Sequence, residues 1–161
     1  MERIDEIDAK ILTLLQMRGR MKRNRIAEEV GLSVPSVSER MRKLEDRGVI
    51  IGYHAVVDAK RLHIDITAFI RVNVDSSSDY ESFVDKSQAL SEVLEIHSIT
   101  GEGSHIIKVR TQNTTSLEKL LAKIQSWPSV HGTSTSIVLS TYKETREVEV
   151  VPTSLLQPHE A

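Results

Sequence analysis

The chain has 161 residues, of which 39% are hydrophobic and 27% are charged, a balance typical of globular domains that bury a core. It contains no cysteine, which excludes disulfides, thiolate metal ligands and cysteine nucleophiles. The formal net charge is −2, but residues 1–61 hold 13 Lys/Arg and 10 Asp/Glu, a net of +3, which leaves −5 for the remainder.

This charge asymmetry indicates a DNA-facing part joined to a part with another task. The stretch Met1–Asp8 lacks the basic-then-apolar layout of a signal peptide. No apolar run approaches the roughly 20 residues that span a bilayer. We therefore expect a cytoplasmic protein without a membrane partner.

The N-terminal part of the chain predicts three helices. Apolar residues recur at the helical period over residues 6–17, where Asp5 is the expected N-cap, and again over residues 23–30. A third helix is predicted over residues 34–46, because Ser33 before it is a favourable N-cap. The turn between the second and third helices is only three residues long.

Two helices joined by such a short turn match the helix-turn-helix unit, whose tight crossing needs a small residue, a glycine and a buried apolar residue. Ala27, Gly31 and Val37 occupy these positions. The alternative, a generic helical hairpin, leaves the polar outer face of the third helix unexplained. Hydroxyl, acidic and basic groups on that face can reach base edges and phosphates of double-stranded DNA. The candidate DNA-binding residues are Arg20, Lys22, Arg23, Arg25, Ser33, Ser36, Ser38, Glu39, Arg40, Arg42 and Lys43.

The rest of the chain predicts a small α/β module. β-Branched and aromatic residues around Gly52 predict a strand linker over residues 51–63. The elements predicted after it are a strand over 64–75, a helix over 80–90, strands over 93–100 and 105–111, a helix from 115 that ends before Pro128, and a strand over 133–142. The order β-α-β-β-α-β is the ferredoxin-like arrangement, which carries helices on one face of its sheet. A second copy of the chain is the natural cover for the other face.

The predicted fold class is therefore α+β: an N-terminal helix-turn-helix domain, winged-helix-like, followed by a ferredoxin-like βαββαβ domain. The expected domains are residues 1–50 for DNA binding, a strand linker over 51–63, residues 64–148 for dimerisation and effector binding, and a C-terminal tail over 149–161.

The sequence does not favour an enzyme. Gly101-Glu102-Gly103 precedes a strand, so it is not a phosphate-binding turn at a helix N-terminus, and no nucleophile elbow or metalloprotease motif is present. His97, His105 and His131 are a weaker possibility as metal ligands, which leaves a regulator that responds to a metal, or to no ligand, as the alternative function.

The combination of motifs resembles the Lrp/AsnC family, the feast/famine regulators, over nearly the whole chain. The resemblance rests on Ile4-Asp5-Glu6-Ile7-Asp8, on residues 32–45 with the following Gly48-Val49-Ile50 and Gly52-Tyr53, and on the loop Thr100-Gly101-Glu102-Gly103. It implies a sequence-specific transcriptional regulator that forms homodimers, often assembled into octamers. It also implies an amino acid or related effector, bound near the glycine loop.

Carried over to this chain, the resemblance implies nine effector-binding residues: Thr100, Gly101, Glu102, Gly103, Ser104, His105, Thr133, Ser134 and Thr135. Ser104 and His105 stand where family members usually have an aspartate and an aromatic residue. The residues themselves allow two interpretations of the loop. Its backbone N–H groups can hold a carboxylate while Glu102 pairs with an ammonium group, or Gly101 and Gly103 only shape a hairpin turn. The resemblance favours the ligand site, with no metal or other cofactor.

Overall fold

The computed structural model describes residues 3–155. Its helices are α1 (Glu6–Met17), α2 (Arg23–Val30), α3 (Val34–Asp46), α4 (Tyr80–Gln88) and α5 (Thr114–Gln125). Its strands are β1 (Ile66–Val74), β2 (Val93–Ser98), β3 (His105–Thr111) and β4 (Val130–Ile137). The chain folds into two compact units: a first unit that extends to Val56 and includes the segment from Glu144 onward, and a second unit over Val57–Lys143. Within the described residues, every helix is too short or too polar to cross a membrane.

The three helices of the first unit begin and end where the sequence predicts. The Asp5 side chain accepts a hydrogen bond from the Asp8 backbone N–H (2.7 Å) at the start of α1. Gly31 adopts a left-handed conformation (φ 69°) that ends α2 and opens the three-residue turn. The helices enclose a core formed mainly by Ile11, Leu12, Leu15, Ile26, Ala27, Val37, Met41 and Leu44. Periodicity and capping thus set the local structure of the helix-turn-helix.

The second unit is a four-stranded antiparallel sheet in the order β2-β3-β1-β4, with α4 and α5 in the crossover connections. Alternate residues of β1 are buried with both helices in a core that contains Ala68, Ile70, Val72, Phe83, Ile107, Val109, Leu117, Leu120 and Ile124. This is the predicted ferredoxin-like arrangement, and the α+β fold class is confirmed.

The opposite face of the sheet carries polar and partly exposed apolar side chains. Phe69 and Arg71 of β1 point to this face, because they alternate with the buried Ile70 and Val72. Lys108 of β3 lies there as well and forms an ion pair with Glu95 of β2 (3.2 Å). No helix of the second unit covers this face.

Two strand predictions are wrong. Residues 51–58 form no strand. Their β-branched side chains favour an extended backbone, but a strand also needs a hydrogen-bonded neighbour, and none of the described residues pairs with this segment. The last strand is β4, Val130–Ile137, and not residues 133–142. It ends near Ile137 because Ala68, close to the start of β1, is the last residue that pairs with it.

The structure describes only the first part of the predicted C-terminal tail, residues 149–161. Residues 149–155 lie with the first unit, and residues 156–161 lie outside the described residues. A short 3-10 turn spans Thr153–Leu155.

Candidate DNA-binding and effector sites

The outer face of α3 keeps most of the side chains that the sequence assigns to base contacts. Ser36, Glu39, Arg42 and Lys43 are exposed, and Ser38 is half-buried. Ser33 caps the helix by accepting from the Ser36 N–H (3.3 Å), and the two hydroxyls also share a hydrogen bond (2.8 Å). Ser33 is therefore committed to helix capping, while the side chains from Ser36 onward line the accessible face.

Ion pairs organise this face around Glu39 and Arg42. Arg42 donates to both carboxylate oxygens of Glu39 (3.1 and 2.9 Å) and to Asp46 (2.6 Å), and Lys43 lies 3.6 Å from Glu39. The hydrogen bond from Arg42 holds the pKa of the Glu39 carboxyl below its ordinary value. Both side chains of this pair stay largely exposed, so an acceptor and a donor lie together on the accessible face of α3.

Arg40 is placed differently from the prediction that grouped it with DNA-contacting residues. Its guanidinium donates to Asp5 (2.7 Å) and Asp8 (2.8 Å) of the α1 N-terminus. The Asp8 side chain is only 11% exposed, whereas the Arg40 side chain is 31% exposed. Arg40 turns inward because α1 presents two carboxylates there, so it joins α3 to α1. Local sequence could not reveal this contact, which links positions more than 30 residues apart.

The basic cluster around the start of α2 divides into paired and unpaired cations. Arg25 forms ion pairs with Glu28 (2.8 Å) and Glu29 (2.7 Å) on its own helix. Among the described residues, four neighbouring cations form no ion pair: Arg18, Arg20, Lys22 and Arg23. An open groove of about 910 Å³ lies between the end of α1 and the start of α2, and three of these four residues line it. These four cations therefore differ from Arg25 in having no carboxylate partner among the described residues.

The glycine loop of the second unit is exposed at its tip and anchored at its base. Thr100, Gly101 and Glu102 are exposed, and both glycines have a left-handed backbone (φ 95° and 87°). A Cβ on Gly103 would lie 3.2 Å from the Val72 carbonyl oxygen, so a side chain here would be strained both by its left-handed backbone and by this close approach to β1.

Ser104, predicted as an effector-binding residue, fastens the loop to β1. Its backbone N–H and its hydroxyl both donate to the Val72 carbonyl (3.0 and 3.1 Å), and the hydroxyl accepts from the Val74 N–H (3.0 Å). The side chain thereby replaces a ladder hydrogen bond where β1 runs beyond its last pair with β3. We interpret Ser104 as a residue that positions the loop.

His105, predicted as an effector-binding residue, lies in the hydrophobic core. It is fully buried, with its ring centroid 4.6 Å from that of Tyr80 and 4.8 Å from that of Phe83. Nδ1 shares a hydrogen bond with the Ser104 hydroxyl (2.9 Å), and Nε2 has no hydrogen-bond partner in the described part of the chain. Burial lowers the pKa of the imidazole. His105 faces the core because strand alternation after Ser104 turns it toward the helices.

The three histidines considered as metal ligands do not converge. His105 is buried, His97 lies beside Glu95 on the exposed edge strand, and His131 Nδ1 lies 3.2 Å from an Asp75 carboxylate oxygen. Residues 3–155 contain no cluster of three or more His, Asp or Glu side chains that could hold a metal ion.

The predicted β4 residues divide between the two faces of the sheet. Thr133 accepts a hydrogen bond from Gln125 of α5 (2.7 Å), so it and Thr135 belong to the helix-facing side, whereas Ser134 is exposed on the opposite face. Ser134 pairs with Arg71 across the strands.

Two residues that sequence reasoning missed lie beside the loop. A Cβ on Gly103 would lie 3.4 Å from the Asn73 side-chain oxygen and 3.7 Å from the Arg71 Cβ. Arg71 forms no ion pair among the described residues. The signal was weak but present, because Arg71 and Asn73 are polar residues in a strand that is mostly apolar.

Comparison with known proteins agrees with this architecture. The family model for the Lrp/AsnC ligand-binding domain matches residues 67–148, and a winged helix-turn-helix DNA-binding model matches residues 4–51. The chain belongs to the Lrp/AsnC family. It is thus a DNA-binding transcriptional regulator of the Lrp/AsnC type, as the sequence predicts.

Individual relatives match the chain over both units and nearly its full length. The chain is 37% identical over 147 residues to the HTH-type transcriptional regulator FL11 of Pyrococcus horikoshii, with 91% of this chain and 97% of the relative covered. The solved structure of Escherichia coli AsnC superposes with a TM-score of 0.85 at 31% identity, covering 92% of this chain and 100% of that one. A regulator of Neisseria meningitidis solved with L-methionine superposes with a TM-score of 0.87 at 28% identity, covering 95% and 99%.

Two substitutions test whether the arginines of α3 have different roles, because Arg40 pairs with α1 and Arg42 is exposed. Arg40→Ala is expected to lower the free energy of unfolding by about 1–2 kcal/mol, because the nearly buried Asp8 carboxylate loses its donor. The loss stays small because Arg40 and Asp5 are partly exposed to solvent. Arg42→Ala is expected to leave stability unchanged and to weaken binding to a specific operator by about tenfold to hundredfold if Arg42 reads a base. Urea denaturation and operator binding of both variants check the pair. An Arg42→Ala chain with unchanged operator affinity would remove Arg42 from the recognition surface.

Proposed function

We propose that the exposed face of α3 reads the operator while the unpaired cations before and at the start of α2 hold the DNA backbone. Hydrogen bonds to base edges in the major groove specify sequence, and cation contacts to phosphates fix position. Ser36, Glu39, Arg42 and Lys43 supply the first kind of contact, and Arg20, Lys22 and Arg23 supply the second. Arg18, next to them, adds to the phosphate-binding set. The division is supported by the ion pairing, since these four cations are not neutralised by neighbours.

The proposed effector is an amino acid that binds at the glycine loop. The observation that carries this proposal is the anchored loop itself, whose tip, Thr100–Glu102, is exposed and whose Gly103 lies beside Asn73 and Arg71. A free amino acid carries a carboxylate and an ammonium group, which suit the Arg71 guanidinium and the Glu102 carboxylate respectively. The solved Neisseria relative with L-methionine supports the same ligand class. Ser104 positions the loop, and His105 belongs to the core beneath it.

The proposed assembly is a homodimer that acts by binding, without catalysis. Its support is the helix-free face of the sheet, which carries Phe69 and which a second copy would cover. A two-fold dimer would present two α3 helices to half-sites in pseudo-palindromic DNA. Effector binding would then change which operators are held. Octamers stay an expectation from the family.

Gly103→Val tests whether the loop carries the effector response. The substitution is expected to abolish that response, because a Cβ would press on the Val72 carbonyl from a left-handed backbone, while the operator affinity of the first unit is kept. Operator affinity with and without each of the twenty amino acids, together with the melting temperature, checks this. Loss of folding would instead support the turn-only interpretation of Gly101 and Gly103.

Glu102→Gln is the matched variant that leaves the loop backbone unchanged. Because Glu102 is exposed, the melting temperature should stay constant, and the effector concentration for half-maximal response should rise by about tenfold if the carboxylate binds an ammonium group. A response that is unchanged in both variants would contradict an amino-acid site at this loop.

A further inference from the structure

The segment that follows the last strand returns to the first unit and contacts α1. We call residues 148–153 the C-terminal clasp. The Gln16 side-chain amide donates to the Val148 carbonyl (3.0 Å), and the Val148 N–H donates to the Gln16 side-chain oxygen (2.8 Å). A side-chain amide thus pairs with a peptide group as a neighbouring strand would. This contact joins the end of α1 to a residue 132 positions later.

A second pair of hydrogen bonds joins the clasp to the chain just before α1. The Thr153 N–H donates to the Ile4 carbonyl (2.8 Å), and the Ile4 N–H donates to the Thr153 hydroxyl (2.7 Å). Between the two anchors, Val150 packs against the hydrophobic core of the first unit. The clasp therefore satisfies the backbone groups of Ile4 and covers apolar surface that α1 leaves open.

The anchored residue Ile4 immediately precedes Asp5, which has two roles. Asp5 caps α1, and its carboxylate accepts from Arg40 of α3 (2.7 Å). Burial raises the pKa of Asp5, but the hydrogen bonds from the Asp8 backbone and from Arg40 outweigh it and hold the pKa below its ordinary value. A chain of direct contacts therefore runs from Thr153 through Ile4 and Asp5 to the recognition helix.

We propose that the C-terminal clasp positions the recognition helix of its own chain, and that Thr153 and Gln16 are positioning residues for DNA binding. Neither matching family model extends past residue 148, so all of the clasp after its first residue, Val148, lies outside both matched regions. The DNA-binding unit is then discontinuous, and the effector-binding unit is inserted between its two parts. The inference depends on DNA binding alone and is independent of the proposed effector.

The first test uses the absence of cysteine in the chain. Ile4→Cys combined with Thr153→Cys places two thiols at neighbouring positions, because the Thr153 N–H donates to the Ile4 carbonyl (2.8 Å). After oxidation, non-reducing electrophoresis should show a cross-linked single chain. A covalent dimer, or the absence of any disulfide, would overturn a clasp within one chain.

The second test compares Thr153→Val with Thr153→Ser in the full-length chain. Valine keeps the shape and removes the hydroxyl that Ile4 uses, so we expect faster hydrogen exchange at the Ile4 amide and operator binding weakened by about two- to tenfold, the range for loss of one hydrogen bond. Serine keeps the hydroxyl and should restore both. The DNA measurement is made where circular dichroism shows both variants fully folded. Operator affinity that is equal in the two variants would overturn the positioning role.

Discussion

Replacing Arg18, Arg20, Lys22 and Arg23 together by glutamine is expected to lower DNA affinity by orders of magnitude and to flatten its dependence on salt. Each cation that neutralises a phosphate contributes about 0.9 to the slope of log affinity against log salt. Four lost contacts should therefore reduce the slope by about 3–4. The reason for choosing these four is structural, since Arg25, Arg40, Arg42 and Lys43 are each paired with carboxylates.

The matched control removes four lysines that lie outside the helix-turn-helix: Lys60, Lys119, Lys123 and Lys143. This variant changes the net charge by the same amount, so any general electrostatic effect is common to both. Binding isotherms at several salt concentrations should separate the two chains. Equal slopes in both variants would show that the phosphate contacts come from elsewhere on the molecule.

The stability of the second unit is expected to fall as the pH drops below about 6.5, and His105 is the cause. Burial lowers the pKa of His105, so the unfolded chain takes up a proton at a higher pH than the folded chain does. Above the unfolded pKa His105 is neutral in both states and the stability is at its full value. As the pH falls from the unfolded pKa toward the folded pKa, the unfolded chain binds a proton that the folded chain does not, and the free energy of unfolding decreases. A single group of this kind gives a slope of at most about 1.4 kcal/mol per pH unit.

His105→Phe is the variant that isolates this group. Phenylalanine suits a site between the Tyr80 and Phe83 rings, and Ser104 keeps its hydrogen bonds to β1. The free energy of unfolding of the variant, from urea denaturation between about pH 5 and 7, should lose most of the slope. The same slope in the variant and the parent chain would assign the pH dependence to other groups. The carboxylates with lowered pKa, Asp5, Glu39 and Glu95, act at lower pH.

Local sequence patterns were sufficient wherever a contact is close in sequence. The helix-turn-helix is the clearest case, because Asp5, Ser33 and Gly31 act on backbone groups within a few residues of themselves. Strand alternation likewise identified which residues of β1 enter the core. The segment 51–58 shows the limit, since a strand needs a partner and its own residues do not reveal one.

The contacts that the sequence did not predict join distant positions. Arg40 resembles the other cations of α3 until Asp5 and Asp8 are placed beside it, and the clasp has no periodicity of its own. His105 illustrates a different difficulty, because a family resemblance assigns a position to a loop without showing which way its side chain turns. Asn73 and Arg71 were missed because they are distant from Gly103 in sequence and only the fold places them beside it.

Binding of the full chain to the promoter fragment beside its own gene, measured from about 50 to 200 mM salt with and without each amino acid, is the most direct test of an effector-responsive DNA regulator. Tight binding that weakens steeply with salt and shifts with one amino acid is the predicted result. Binding that no amino acid changes would leave the DNA-binding unit and contradict the effector site at the glycine loop. No specific binding at the lowest salt concentration would contradict the operator-reading role assigned to α3.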